Sequence, residues 1–265
     1  MLRFCWSLAW PVALAAALGG QGTGQALAAP GQQAVMAGSS IPAAAQQLFT
    51  LANQARAAAG VRLLKWDSAL AASALLHCER MAAEGPIAHQ YGGEPELQVR
   101  AQKAGVHFSL IEENVALGSS SAAIHQGWLN SPGHRANLLS PQVDSVGIAV
   151  VSGRGVLYAV ADYARDVPVL TREEVEATVA GLIRPSGLLI VRDPADARAY
   201  CATGSHHSGY TAFLMVWENP DISGLPQDLA NRVASGRYQS AVVGACAPQD
   251  SESGFTSYRV AVILY

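Results

Sequence analysis

The sequence contains little charge and no long basic stretch. Only 14% of its 265 residues are Asp, Glu, Lys or Arg, and the formal net charge at pH 7 is -3. Nucleic acid binding requires clustered cations that meet the phosphates, so nucleic acid is excluded as a partner. Half of the residues, 50%, are apolar, which predicts a chain that buries a core and is not disordered.

Long apolar runs are absent after the N-terminal segment. Residues 1–28 combine an early arginine, an apolar run that ends near Gly20 and a final small-residue triplet, Ala-Leu-Ala. This pattern predicts a secretory signal peptide cleaved after Ala28, with retention of the run as an anchor left open. No later stretch reaches the roughly 18 apolar residues of a spanning helix. The mature chain is therefore expected to have no membrane span and to be secreted, periplasmic or part of the cell envelope.

Cysteine is scarce, since the chain has four and Cys5 lies within the predicted signal peptide. An exported protein occupies a compartment in which disulfides persist. Cys201 and Cys246 lie in the same C-terminal segment, each beside a strand-like run, and are predicted to form a disulfide. Cys78 lies in a helical pattern rich in Ala and Leu and is predicted to remain a buried thiol. Three cysteines allow three pairings, so the other two pairings stay open.

The order of helix-like and strand-like runs predicts an α+β fold in two parts. Residues 29–41 are small and polar, which is typical of a flexible lead-in. In residues 42–166, helical runs precede a hairpin whose turn contains glycine, which predicts helices packed on an antiparallel sheet. Residues 167–265 begin with a capping box, Thr171-x-x-Glu174, and contain four strand-like runs and a further helix. This second, smaller α+β unit should carry the disulfide, and its last strand should be central.

Three polar residues in predicted loops or at a helix end have the chemistry of a site. They are His89 in "PIAHQ", Glu113 in "EENVA" and His134 in "SPGHR". Two imidazoles and a carboxylate suit a borderline divalent ion such as zinc and would leave one coordination position open. Their spacing alone does not bring them together, because more than twenty residues separate each from the next. Read in isolation, Glu113 is better explained as a residue that accepts backbone N–H groups in a loop, with Asn114 as a turn residue.

A series of short sequence motifs occurs in one order along the chain and resembles the motifs of the CAP superfamily. This superfamily contains the cysteine-rich secretory proteins, the antigen 5 allergens and the plant pathogenesis-related proteins, and the match is to its short bacterial branch. It covers about residues 44–165. The motifs are "LANQARAAAGVRLLKWDSALAASALLHCERMAAEG", "AHQ", "EENVA", "GWLNSPGHRANLL" and "VGIAVVSGRGVLYAVADY". The resemblance implies an α/β/α sandwich with a central antiparallel sheet and a cleft lined by two histidines and acidic residues.

The resemblance also implies which residues line the cleft. His89 and His134 match the two histidines and Glu113 matches the acid, with Asn114 and Ser131 beside them. His89, Glu113 and His134 are thus the expected ligands of a divalent metal. Eukaryotic members have a further acid where this chain has Ser131, and the loss of one anionic ligand lowers the expected metal affinity.

The sequence lacks a complete set of residues for nucleophilic catalysis. It has no G-x-S-x-G elbow, and Cys78 lies among apolar residues that disfavour a thiolate. Ser131 is predicted to cap a helix that has Pro132 first and His134 third, which would occupy its hydroxyl. The resemblance therefore favours an exported binding module for an extracellular lipid, sterol or protein. A metal-dependent hydrolase of peptides or cell-wall material is the alternative, and a third hypothesis assigns the activity to residues 167–265.

Overall fold

The computed structural model describes residues 42–204, 213–249 and 254–265. The predicted signal peptide, residues 1–28, and the lead-in, residues 29–41, lie outside the described residues. The first nine elements are α1 (Ala43–Ala58), β1 (Lys65–Trp66), α2 (Ser68–Glu84), α3 (Leu97–Lys103), β2 (Phe108–Gly118), α4 (Ser121–Asn130), α5 (Pro132–Leu138), β3 (Ser145–Gly153) and β4 (Val156–Asp166). They are followed by α6 (Arg172–Ile183), a 3-10 turn (Arg184–Ser186), β5 (Leu189–Ile190), α7 (Ala195–Thr203), β6 (Phe213–Asn219), α8 (Gln227–Val233), β7 (Ser240–Cys246) and β8 (Tyr258–Leu264).

Side-chain caps determine where α2 and α6 begin. The Asp67 carboxylate accepts the backbone N–H groups of Ala69 at 2.7 Å and Leu70 at 2.8 Å. At α6 the predicted capping box is confirmed: the Thr171 hydroxyl accepts the N–H of Glu174 at 3.3 Å, and the Glu174 carboxylate accepts the N–H of Thr171 at 2.8 Å. Each cap satisfies N–H groups that have no partner within the first helical turn. These starts are set by residues close in sequence.

The hairpin of β3 and β4 is confirmed, and its turn consists of Arg154 and Gly155. Both residues have positive φ angles, 51° and 81°, as a two-residue hairpin turn of this hand requires. A positive φ is unusual for arginine. The Arg154 guanidinium is held at the end of α2, where it donates to the carbonyl oxygens of Ala83 at 2.7 Å and Glu84 at 3.2 Å. The turn is therefore attached to the helix that packs beneath it.

The first sheet has the strand order β1-β3-β4-β2 and lies between two layers of helices. β1 pairs with β3 in parallel, and the other two pairs are antiparallel. On one face α1 and α4 bury Leu48 and Trp128 against Ile148 of β3. On the other face α2 buries Cys78 and Met81 among strand residues. This arrangement confirms the expected α/β/α sandwich.

The second sheet has the order β5-β7-β8-β6 and the same pairing pattern as the first. β5 pairs in parallel with β7, and the remaining pairs are antiparallel. Each sheet has a glycine where a helix crosses closely: a Cβ on Gly147 would lie 2.0 Å from the backbone nitrogen of Ala71 in α2, and one on Gly244 would lie 2.4 Å from that of Arg198 in α7. The second half of the chain thus repeats the topology of the first.

The disulfide and the place of the last strand agree with the predictions. Cys201 is bonded to Cys246 with a Cα–Cα distance of 5.8 Å, and Cys78 is free and buried. Cys201 lies in α7, a helix that the sequence pattern does not predict. β8 is a central strand between β7 and β6, as expected for an apolar run. Its interior position protects its backbone from pairing with another chain.

The two sheets are joined by backbone contacts near the start of β2. The N–H of Thr256 donates to the carbonyl of Phe108 at 2.8 Å, and the rings of Phe108 and Phe255 meet edge to face at 5.3 Å. The division into domains of residues 42–166 and 167–265 stays a prediction. Within the described residues, no helix combines the length and the apolar character needed to cross a bilayer.

Candidate functional site

Glu113 lies in the middle of β2, and the expectation that it lies in a loop is wrong. It pairs with Asp162 of β4, and its side chain is only 3% exposed. The three consecutive polar residues Glu112, Glu113 and Asn114 interrupt the apolar pattern and so resemble a loop. A regular ladder with β4 nevertheless continues through this segment. A polar run inside a strand is a signal of a site, because burial of these groups requires specific partners.

The Glu113 carboxylate contacts one basic side chain with each oxygen. His89 Nδ1 lies 2.8 Å from Oε1, so the fold brings His89 and Glu113 together although 24 residues separate them. Oε2 accepts a hydrogen bond from Nη2 of Arg100, a residue of α3 that is 5% exposed in its side chain. Arg100 was not identified from the sequence.

Asp162 is fully buried next to Glu113 and receives a hydrogen bond from the Ser73 hydroxyl at 3.1 Å. Burial, and then the neighbouring carboxylate of Glu113, raise the pKa of Asp162 well above its ordinary value. Arg100 and Ser73 oppose this rise. Burial beside a second carboxyl group therefore favours the neutral form of Asp162 more than in an exposed aspartate.

The two histidines have pKa values that shift in opposite directions. The hydrogen bond to Glu113 raises the pKa of His89, against the effect of burial. Burial, and then the charge of His89, lower the pKa of His134. The His89 side chain is 61% exposed, so the ring edge that carries Nε2 is available to a ligand while Nδ1 faces Glu113. At a given pH, His89 is therefore more readily protonated than His134.

Asn114 and Asn137 fasten α5, which carries His134, to the strand that carries Glu113. Asn114 Nδ2 donates to the carbonyl oxygen of His134 at 2.9 Å. Asn137 Nδ2 donates to the carbonyl of Glu113 and to Oδ1 of Asn114, each at 3.1 Å. The amide of Asn114 therefore supports the site and does not act as a turn residue.

Ser131 lies at the N-cap of α5, with Pro132 first and His134 third, as predicted. The expected capping hydrogen bond of its hydroxyl is not formed. Ser131 also ends α4, because its N–H donates to the carbonyl of Gly127 at 3.2 Å, while its own carbonyl accepts the N–H of Arg135 at 2.8 Å. Its backbone links two consecutive helices, and this double role sets its conformation.

Other reactive side chains are used for structure. His77 is fully buried and bonds Glu94 at 2.8 Å and the carbonyl of Ala88 at 2.9 Å, which holds the segment that carries His89. Burial raises the pKa of the Cys78 thiol to about 12. A thiol with this pKa supplies almost no thiolate at neutral pH, in agreement with the argument against a cysteine nucleophile.

The residues of the site, as they are arranged, do not fit a divalent metal ion. Both oxygens of Glu113 are engaged, one of them by the fixed positive charge of Arg100. Asp162, which pairs with Glu113, is fully buried, and its raised pKa disfavours the charged form that binds a metal ion. Across the described ranges, no group of three or more His, Cys, Asp or Glu side chains is arranged to hold an ion.

The second sheet does not repeat the site. Asp162 pairs with Gly147 and Glu113, whereas the strand pairs around Gly244 place Ala261 and Val216 at the corresponding positions. These side chains are apolar. The repeated topology is thus shared by the two halves, while the ionisable cluster belongs to the first half.

A comparison with protein families identifies the class of domain that carries this site. The model of the family described as "CAP: Cysteine-rich secretory protein family" matches residues 49–163. This range extends from α1 to β4 and includes His89, Arg100, Glu113 and His134. The chain therefore contains a CAP domain, as the resemblance implied.

Two curated relatives come from Bacillus subtilis. The uncharacterized membrane protein YlbC is 33% identical over 107 residues, which are 40% of this chain and 31% of the relative. The uncharacterized protein YkwD is 27% identical over 122 residues, 44% of this chain and 46% of the relative. The chain thus spans less than half the length of either relative. A solved extracellular protein with an SCP domain from Bacillus anthracis is 34% identical, with a TM-score of 0.43, and the match covers 46% of this chain and 40% of that one.

Proposed function

We propose that the CAP domain is an exported binding module whose cleft holds a polar group of an extracellular ligand. The ligand-facing residues are His89 and His134, with Glu113 behind them. One observation carries the proposal: Nδ1 of His89 is fixed at 2.8 Å from the buried Glu113 carboxylate, while the side chain is 61% exposed. A ring held on one side and open on the other is positioned for recognition at Nε2.

Export is supported by two independent features. Residues 1–28 have the composition of a signal peptide, and the disulfide between Cys201 and Cys246 suits an oxidising compartment. One relative is named a membrane protein and another an extracellular protein, so we propose a location outside the cytoplasmic membrane, free or at the envelope.

Binding is favoured over hydrolysis because the site lacks an assembled nucleophile. The metal-dependent hydrolase would require an ion that activates water, and the Glu113 carboxylate is already bound by Arg100. Screening peptides and peptidoglycan with and without a chelator tests this alternative. Hydrolysis that the chelator abolishes and Glu113→Ala removes would support it over our proposal.

A direct test titrates the purified protein with a fluorescent sterol and a fluorescent fatty acid as probes. We expect saturable binding of at least one probe, weakened about tenfold or more, or 1.4 kcal/mol, in the His89→Ala, His134→Ala double variant. His107→Ala is the matched control, since His107 is exposed and is not part of the cleft. Probe binding by the double variant that is as tight as that of the wild type would show that the cleft is not the binding site. If neither probe binds, a protein ligand is the remaining member of the proposed class.

A further inference from the structure

We propose that Arg100 determines the ligand class of the cleft: its guanidinium takes the charge position of a divalent ion beside Glu113, so the cleft binds its ligand without a metal. This inference deepens the proposed function and rests on it for the existence of a ligand. The observation behind it is a contact that joins α3 to β2, the Arg100 Nη2 hydrogen bond to Glu113 Oε2.

Arg100 is fixed in this position from several directions. Besides Glu113, its Nη1 donates to the carbonyl oxygens of His89 at 3.3 Å and Pro95 at 3.4 Å. The side chains of Arg100 and Glu113 are 5% and 3% exposed. The guanidinium is thus an internal cation that joins the strand acid to the segment carrying His89. Arginine suits this role because it remains charged at all physiological pH values and presents several N–H donors in one plane.

A divalent ion at this place would require Arg100 to leave. Both oxygens of Glu113 are bonded, Oε1 to His89 and Oε2 to Arg100. An ion that took Oε2 would leave a guanidinium without a counter-charge in a buried position, which is strongly unfavourable. An ion that took Oε1 would share one carboxylate with Arg100, and like charges at short range repel strongly inside a protein.

A purely structural role is the competing explanation, in which Arg100 only clamps α3 to the sheet. That role predicts a loss of stability when Arg100 is replaced and no change in metal affinity. The proposal instead predicts a gain of metal affinity at a named pair of histidines. A second competing explanation is that the cleft binds no metal because it has too few carboxylates. A variant with a carboxylate added at the start of α5 distinguishes this explanation from the proposal.

The test titrates Zn²⁺ by calorimetry and Co²⁺ by visible absorption into the full chain. We expect no saturable signal from the wild type or from Arg100→Lys, which keeps the charge. We expect Arg100→Gln to gain saturable binding that a second change, His89→Ala, abolishes. Ser131→Glu, at a partly exposed position, should gain no binding while Arg100 is present. Circular dichroism of each variant checks the fold.

Three results would overturn the proposal. Zinc binding by the wild type that His89→Ala removes shows that Arg100 does not exclude the ion. Gained binding in Ser131→Glu shows that the number of carboxylates, and not Arg100, sets the affinity, and this outcome is informative even if Arg100→Gln fails to fold. An Arg100→Gln variant that folds but binds no metal shows that Arg100 only clamps α3 to the sheet. Binding of the sterol or fatty acid probe that persists in the presence of chelator supports the proposal. Loss of all probe binding when the wild type is made metal-free contradicts it. Absence of probe binding under every condition contradicts the proposed function instead.

Discussion

Replacing Glu113 by glutamine should destabilise the protein by about 3 to 5 kcal/mol, because it breaks a buried ion pair and leaves one charge behind. The side chains of Arg100 and Glu113 are 5% and 3% exposed, so water cannot solvate the guanidinium that remains. Glutamine has nearly the volume of glutamate, so a cavity does not contribute to the loss. The expected loss therefore measures the electrostatic role of the carboxylate alone.

The same change should also alter the pH dependence of stability through His89. The folded-state pKa of His89 is raised, chiefly by its hydrogen bond to Glu113. A histidine with a raised pKa adds stability that is fully present below its unfolded pKa and is lost as the pH rises through its folded pKa. The difference between wild type and Glu113→Gln should therefore be larger in mildly acidic solution than in alkaline solution.

Urea unfolding followed by tryptophan fluorescence, at an acidic and an alkaline pH, measures both effects. Arg62→Gln is the matched control, since Arg62 forms a pair with Asp144 at 3.8 Å and its side chain is 72% exposed. An exposed pair of this kind contributes about 0 to 1 kcal/mol. A Glu113→Gln variant that loses no more stability than this control would refute the description of Glu113 as the centre of a buried charge cluster.

Three further predictions concern packing, burial and the disulfide. Gly147→Ala should lower the free energy of unfolding by about 3 kcal/mol or more, because its Cβ would lie 2.0 Å from the helix backbone. As a control, Gly181→Ala in α6 meets open space and should stabilise the protein by up to about 1 kcal/mol. Equal effects of the two changes in denaturant unfolding would refute the close crossing. Asp162→Asn should gain stability relative to wild type as the pH rises from acidic to neutral, since the raised pKa of the buried acid makes its ionisation unfavourable, and a constant difference would contradict this. The double change Cys201→Ser, Cys246→Ser opens a loop of 45 residues and should lower the free energy of unfolding by about 4 kcal/mol, with an unchanged midpoint as the contrary result.

The repeated topology gives the C-terminal half an interpretation that its sequence does not suggest. Its sheet has the strand order and pairing of the CAP domain, and Gly244 takes the place of Gly147 beneath a helix. Val216 and Ala261 stand where the CAP domain has Glu113 and Asp162. The framework is thus present twice and the charge cluster once, which favours the first half as the place where ligand is bound.

The features predicted correctly from sequence depend on residues close together in the chain. The capping box of Thr171 and Glu174 and the hairpin turn at Arg154 and Gly155 are local, because their hydrogen bonds or dihedral angles involve a few consecutive residues. The resemblance to the CAP superfamily also depends on short sequence motifs, which are local and occur in a fixed order. The disulfide of Cys201 and Cys246 follows from the exported character of the chain and from the place of both cysteines in one C-terminal segment, each beside a strand-like run.

Only the tertiary structure revealed the charge cluster. Arg100, Glu113 and Asp162 come from α3, β2 and β4, and nothing in their sequence spacing indicates that they meet. A polar run such as Glu112 to Asn114 is typical of a loop until strand pairing places it inside a sheet. Burial and the neighbouring Glu113 then raise the pKa of Asp162, since desolvation and short distance act only after the chain has folded. The sequence alone thus determined the class of domain, and the fold decided which basic side chains contact Glu113.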